Sequence, residues 1–388
     1  MTIPITYTLK NLWVRKITTC LTMVGLGLVV FVFSSILMLD QGLKKTLVNT
    51  GEKDNIIVIR KGADTEVQSG IYRNQAAIIE TSPFIENSAD GTRNISKELV
   101  VLISMQKNST DKFSNVVVRG SSKKGLDLRP QINIVRGRTF EPGTSEVIIG
   151  RAVAKLYGNL QIGDSISFAQ RKWNIVGIFD AKQTAFDSEI WGDCQQLMQA
   201  FRRTNFSIVI FKSKNSKDTD SMQNYFNADP QLAVQLKIEQ DFYEDQSKAL
   251  SKFINILGIT LTVIFSIGAT IGAMITMNAA VSNRIQEIGT LRALGFKRKD
   301  VLTAFLLESV SLGLLGGIIG ISAANFMELS SFTTTNFQTF AELSFGFVMT
   351  PTIAVKALLI SVLMGSVGGL LPAIYASNLE IVESLRSP

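Results

Sequence analysis

Histidine is missing from this chain altogether. Its absence removes imidazole acid–base catalysis, the common Ser-His-Asp arrangement and histidine metal ligands together. Cysteine is nearly as scarce, with two residues. Cys20 lies inside an apolar run and Cys194 far along a polar region, so neither a thiolate metal site nor an intrachain disulfide is expected. Cys194, beside a helix start, reads as a small buried residue rather than a reactive thiol. No Gly-Lys dipeptide occurs, which excludes a phosphate-binding loop of the form G-x-x-x-x-G-K-S/T. If ATP drives the protein, another polypeptide binds it. Asp187, Glu189, Asp241, Glu244 and Asp245 could be combined on paper into a hydrolytic pair, but solvated surface charge is their expected role.

Formal charge is absent from long stretches. None occurs between Phe253 and Asn283, a run longer than the roughly 20 residues that cross a bilayer as a helix. Three further apolar runs, Ile17 to Leu39, Ser309 to Met327 and Ala357 to Leu379, are bracketed by charge. They predict four transmembrane helices, at 17–39, 253–283, 301–327 and 356–379. No Asp, Glu, Lys or Arg lies deep in a span, which disfavours an ion-coupled carrier. The polar exceptions, such as Thr260, Thr262 and Thr276, are expected to satisfy themselves on backbone or neighbouring helices. Pro372 is expected to kink or end the fourth helix.

Basic residues set the orientation. Lys10, Arg15 and Lys16 precede the first span, five Lys or Arg lie in 284–300, and Arg386 follows the fourth, whereas 328–355 carries none. Both termini and 284–300 are therefore expected in the cytoplasm of a multi-pass inner-membrane protein, and 40–252 outside. The N-terminal run is too long for a signal-peptide core and lacks a clear cleavage site, so 1–16 reads as an interfacial lead-in with Trp13 at headgroup depth. The formal charge of +7 is dispersed and weighted to membrane flanks, which argues against nucleic acid as a partner.

The expected fold is thus an α-helical membrane protein with four transmembrane helices and a large exported α+β domain inserted between the first and second. Within 40–252, strand-like runs alternate with helices at 151–157, 193–202 and 218–227, and 115–190 reads as an inserted lobe. Gln170-Arg171 marks a hairpin tip. Residues 40–50 and 241–252 extend the flanking helices as a stalk. The short exported loop 328–355 carries Phe332, Phe337, Phe340, Phe345 and Phe347, expected as interfacial anchors.

Small residues recur at four-residue spacing: Gly268 and Gly272, Gly313 and Gly317, Gly316 and Gly320, Gly365 and Gly369. That spacing lets membrane helices approach closely, within one chain or between two. In 284–300, Ile285, Ile288, Leu291 and Leu294 form an apolar stripe among charges of both signs, with Gly289 and Gly295 as interruptions, and 380–388 forms a tail. Such a segment suits anionic lipid or a socket on a soluble partner equally well.

The segment Asn283-Arg-Ile-Gln-Glu-Ile-Gly-Thr-Leu-Arg-Ala-Leu-Gly-Phe-Lys-Arg-Lys-Asp-Val301 resembles the permease domain of the MacB-type ABC transporter family, which includes lipoprotein-releasing (LolC-type) and FtsX permeases. Leu371-Pro-Ala-Ile-Tyr-Ala-Ser-Asn-Leu-Glu-Ile-Val-Glu-Ser-Leu-Arg386 resembles the family C-terminus, and Glu146–Lys155 with Gly163-Asp-Ser-Ile its periplasmic core. The resemblance implies mechanotransmission by a non-catalytic permease, as a homodimer or with a related permease, on two copies of a cytosolic ABC ATPase that binds ATP and Mg. It makes 284–299 the coupling helix, with Arg284, Glu287, Ile288, Leu291, Arg292, Leu294 and Gly295 as ATPase-coupling residues. Some relatives also use a periplasmic adaptor and an outer-membrane channel. Without a fused ATPase, the expected cargo is a lipid, lipoprotein, lipopeptide or drug. An FtsX-like regulator of a cell-wall hydrolase, and a sensor or scaffold without ATP coupling, are the alternatives.

Overall fold

The computed structural model describes residues 16–386 apart from 89, 108–111, 217 and 337–338. The interfacial lead-in with Trp13, and Phe337, lie outside the described residues. Two compact units emerge: one of 1–41, 252–330 and 347–388, the other of 42–251 and 331–346.

In chain order the elements are α1 (Lys16–Val48), β1 (Asn55–Arg60), α2 (Arg73–Glu80), β2 (Ile95–Gln106), β3 (Phe113–Ser121), α3 (Lys123–Asp127), β4 (Asn133–Gly137), β5 (Glu146–Gly150), α4 (Arg151–Leu156), β6 (Ser165–Phe168) and β7 (Arg171–Asp180). There follow β8 (Glu189–Asp193), α5 (Cys194–Ala200), β9 (Ile208–Lys212), α6 (Thr219–Asn227), β10 (Val234–Ile238), α7 (Glu239–Ser282), α8 (Ile285–Ala293) and α9 (Arg298–Asn325). The last elements are β11 (Ser331–Thr335), β12 (Glu342–Gly346), α10 (Pro351–Asn378) and α11 (Ile381–Arg386).

Among the described residues, α1, α7, α9 (with the short 3-10 turn that follows it) and α10 are long and apolar enough to cross a membrane. α10 starts with Thr350, whose hydroxyl accepts from the Ile353 N–H, and Pro351, which needs no hydrogen bond at that position. Pro372 lies inside α10, which continues to Asn378. α9 and α10 meet where Gly313 faces Gly365. Ser361 donates to the Gly313 carbonyl at 2.5 Å and Ser309 donates to the Gly365 carbonyl. Thr260, Thr262 and Thr276 donate to carbonyls of their own helix, as the sequence leads one to expect.

In the second unit, ten strands form one sheet in the order β10-β1-β9-β2-β3-β8-β5-β7-β4, with β6 also beside β7. The strand β2 joins its halves, because Ile95–Glu98 pair with β9 while Leu99–Gln106 pair with β3. Neighbours are antiparallel except β3 with β8 and β5 with β7. Both faces are covered: Ile56 and Val58 of β1 enter one core, Ile57 and Ile59 the other. That is why β1 reads as an unbroken apolar run rather than an alternation. A two-residue turn with Ala169 and Gln170 in left-handed conformation joins β6 to β7.

The strands in 115–190, β3 to β8, continue the sheet order from β2. Two expectations change. The 328–355 segment is more than a loop, because β11 and β12 pair as a hairpin belonging to the sheet-bearing unit. There Phe345 is buried, and Glu342 accepts from the Tyr157 hydroxyl at 3.0 Å, from Ser114 and from Lys107. Asp187 and Glu189 are buried rather than solvated.

Candidate functional site

The segment after α7 is built to hold a short helix firmly from one side. Val281 accepts from the Arg284 N–H, α8 runs from Ile285 to Ala293, and Gly295, at φ +100, turns the chain. A positive φ at that point suits a residue without Cβ. Asp300 then accepts from the Lys297 N–H at 2.8 Å and starts α9. Two anchors fix α8. Ile288, 2% exposed, packs into a cluster with Met277, Val281, Val301, Phe305 and Ala373. Arg284 donates to Glu308 at 3.1 Å and to Glu287 at 2.9 Å, with its guanidinium 5.1 Å from the Phe305 ring. Since Arg284 and Glu308 are both largely buried, removing either strands a charge.

The seven coupling candidates therefore divide. Arg284 and Ile288 point inward and brace the helix; Leu291 and Arg292 are half-buried; Glu287, Leu294 and Gly295 are exposed. Leu294 is 69% exposed, an apolar tip beside charge. Within the tail expected at 380–388, residues 381–386 form α11, which packs on α8.

The packing glycines divide as well. A Cβ on Gly313 would lie 2.6 Å from the Ser361 carbonyl oxygen, and one on Gly365 2.7 Å from that of Ser309; Gly317 and Gly369 meet Ser361 and Ser309 similarly. Gly316 and Gly320 approach α1 at Gly27. Among the described residues, a Cβ on Gly268 or Gly272 would meet nothing within 4 Å.

The second unit holds a feature that the sequence did not reveal. Arg119 and Arg129 are wholly buried. Arg119 donates to Glu189 at 2.7 and 3.0 Å, to Glu66 at 2.7 and 3.0 Å, and to Glu98 at 3.1 Å. Arg129 grips Glu98 through two bonds, at 2.7 and 3.0 Å, and Glu239 at 3.0 Å. Both guanidiniums lie 5.1–5.4 Å from the rings of Phe186 and Trp191. Burial works to raise the Glu98 carboxyl, but Arg129 and Arg119 outweigh it and hold it below its usual value. Burial wins at Glu189, whose carboxyl is raised despite Arg119. The network gathers the first residue of α7: the second Glu239 oxygen accepts from the Glu52 N–H at 3.0 Å and from Asn55 at 2.9 Å. Just before them, a Cβ on Gly51 would lie 2.4 Å from the backbone of Glu239 and Gln240. The ends of α1 and α7 are thus locked to one another and to the sheet. A periodicity search finds no such network, because its partners lie 21 to 187 residues apart along the chain.

Residues 19–229 match the model of the MacB-like periplasmic core domain, more than half of the chain, and 259–381 match that of the FtsX-like permease C-terminal domain. The chain belongs to the MacB/FtsX family of ABC transporter permeases. This permease is 24% identical to the macrolide export ATP-binding/permease protein MacB of Photorhabdus laumondii over 96% of its own length and 59% of that protein's. It therefore spans less than two thirds of that relative. It is 26% identical to the uncharacterized ABC transporter permease YknZ of Bacillus subtilis, over 97% of each. A crystal structure of the periplasmic region of MacB from Actinobacillus actinomycetemcomitans aligns with 51% of this chain and 94% of that one, at 9% identity and a TM-score of 0.38.

Proposed function

We propose that this permease is a non-catalytic, mechanotransmitting subunit of an ATP-powered complex in the bacterial inner membrane. Its termini and α8 face the cytoplasm, where α8 docks on a separate ABC ATPase present in two copies. The observation that carries this reading is the division of α8 into a braced inner face, Ile288 and Arg284 with Glu308, and an exposed face carrying Glu287 and Leu294. A helix lying on lipid needs no such bracing, whereas a helix that passes force does. The sheet domain is exported, and movement reaches it through α1 and α7, each one unbroken helix. The cargo class is hydrophobic: a lipid, lipoprotein, lipopeptide or drug.

Copurification from mild detergent or nanodiscs, with mass spectrometry of the bound proteins, tests this. Stoichiometric recovery of an ATPase with a phosphate-binding loop is expected. Paired substitution of Glu287→Lys with Leu294→Asp is expected to lower that recovery at least about tenfold without changing membrane insertion. A cell-wall hydrolase copurifying with the ATPase would turn the reading towards an FtsX-like regulator. Absence of any ATPase, under conditions that preserve other membrane complexes, would overturn it in favour of a sensor or scaffold.

A further inference from the structure

We propose that the groove between β4 and α4 is a docking site for an extended, acidic and partly apolar segment of a partner protein. β4 ends the sheet order, and its five residues are exposed throughout. Two of them are β-branched and apolar, Ile134 at 37% and Val135 at 49% exposure, and Ile162, next to Gly137, is 45% exposed. An edge strand with exposed apolar side chains is a place where another chain can add.

Beside this edge lies a groove of about 500 Å³. Val135, Ala154, Leu160 and Ile178 supply its apolar lining, and Arg136, Arg151 and Lys155 its charge. Among the described residues, no carboxylate lines it. Arg151 is paired with Asp180 at 2.9 Å, while Arg136 and Lys155 have no ion-pair partner among the described residues. The pairing of β4 with β7 slips between Ile134 and Arg136, and this bulge leaves Val135 on the groove. Bulges commonly re-aim a side chain in this way.

Charge selects the occupant. A second copy adding through the same strand would bring two Arg136 side chains to one edge whose groove supplies no carboxylate among the described residues, which is unfavourable on neighbouring strands. An amphiphile could use the cations and the apolar lining, but not the backbone N–H and C=O groups that an edge strand leaves open. An extended polypeptide with alternating carboxylate and apolar side chains uses all three. The inference stands whether or not α8 docks an ATPase.

The test uses the full chain in phosphatidylcholine nanodiscs and a fluorescein-labelled peptide of alternating glutamate and valine. Saturable binding by anisotropy is expected. Arg136→Glu with Lys155→Glu should weaken it at least about tenfold, and Val135→Asp should weaken it independently. These side chains are exposed, so the fold should survive both changes, which a thermal melt checks. Equal binding by the charge-reversed protein, equal binding of a lysine–valine peptide, or no binding at all would overturn the proposal. So would lysophosphatidate binding that the glutamate–valine peptide does not displace, which assigns the groove to lipid. Mass photometry showing a dimer that the charge-reversed protein loses would assign it to a second copy.

Discussion

Arg129 shows what a single side chain does in this permease. It neutralises Glu98 and joins that residue to Glu239 at the head of α7. Arg129→Met keeps much of the volume, leaves Glu239 without its cation and leaves Glu98 with Arg119 alone. Breaking a buried pair from one side costs about 3–5 kcal/mol. A drop of that size in unfolding free energy is expected, and a midpoint unchanged in thermal melts of the nanodisc-embedded protein would count against the network. Asp187 offers a pH test. Burial pushes its carboxyl up to about 6 against the lowering effect of the Ala181 and Gln183 N–H groups, which it accepts at 2.6 and 2.8 Å. The folded state then holds the proton more tightly than the unfolded chain does, so stability is lost as pH rises from about 4 through about 6 and stays lower above. The loss is up to about 3 kcal/mol. Asp187→Asn cannot titrate, so its melting temperature relative to wild type should rise across that window, and a constant difference from pH 4 to 7 would exclude the shift. Neither role is legible in the sequence. Local pattern carries no information on what a carboxylate meets after the chain has closed over it, and Asp187 and Glu189 read there as surface charge.

At the scale of elements, apolar runs and small-residue spacing carried more. The membrane helices were legible because an uncharged run of bilayer length has few other uses. The spacing of Gly313, Gly317, Gly365 and Gly369 likewise marks a true crossing, where side chains would meet backbone. Spacing cannot name the opposite helix, however, and Gly268 and Gly272 share it without a neighbour. The hairpin of β11 and β12 was hidden for another reason: its strands are five residues each, and their phenylalanines suit an interface as well as a core. The crossing gives a direct prediction. Gly365→Val forces a branched side chain against the Ser309 carbonyl and Gly313, and overpacking of this kind costs roughly 1–3 kcal/mol. Gly268→Ala meets open space within the chain and should leave stability unchanged or raise it by up to about 1 kcal/mol, because alanine is the better helix former. Paired melts of the two variants in nanodiscs test the contrast, and similar losses would mean that α9 and α10 do not cross at these glycines.

Among the four membrane helices, α7 is the least covered within the chain. Its apolar window is 17% buried, against 39–44% for the other three membrane helices. Low burial alone is no sign of a partner, because lipid solvates apolar side chains well. Gly268 and Gly272 add the discriminating detail: a pair of glycines four apart gives lipid little to hold, yet lets a second helix approach to backbone contact. The homodimer implied by the family resemblance predicts contact through this face of α7. Cysteine cross-linking tests it cleanly in this chain. Cys194 is buried, and burial pushes its thiol up to about 12, so it should stay silent; Cys20 is exposed and is first changed to serine. In that background Gly268→Cys and Gly272→Cys are expected to form intermolecular disulfides on mild oxidation in membranes. Gly316→Cys, at the α1 crossing, is expected to form none. Cross-links of equal yield at all three positions would indicate random collision. None at 268 or 272 would leave α7 facing lipid, and a second copy would then have to meet this permease through another surface.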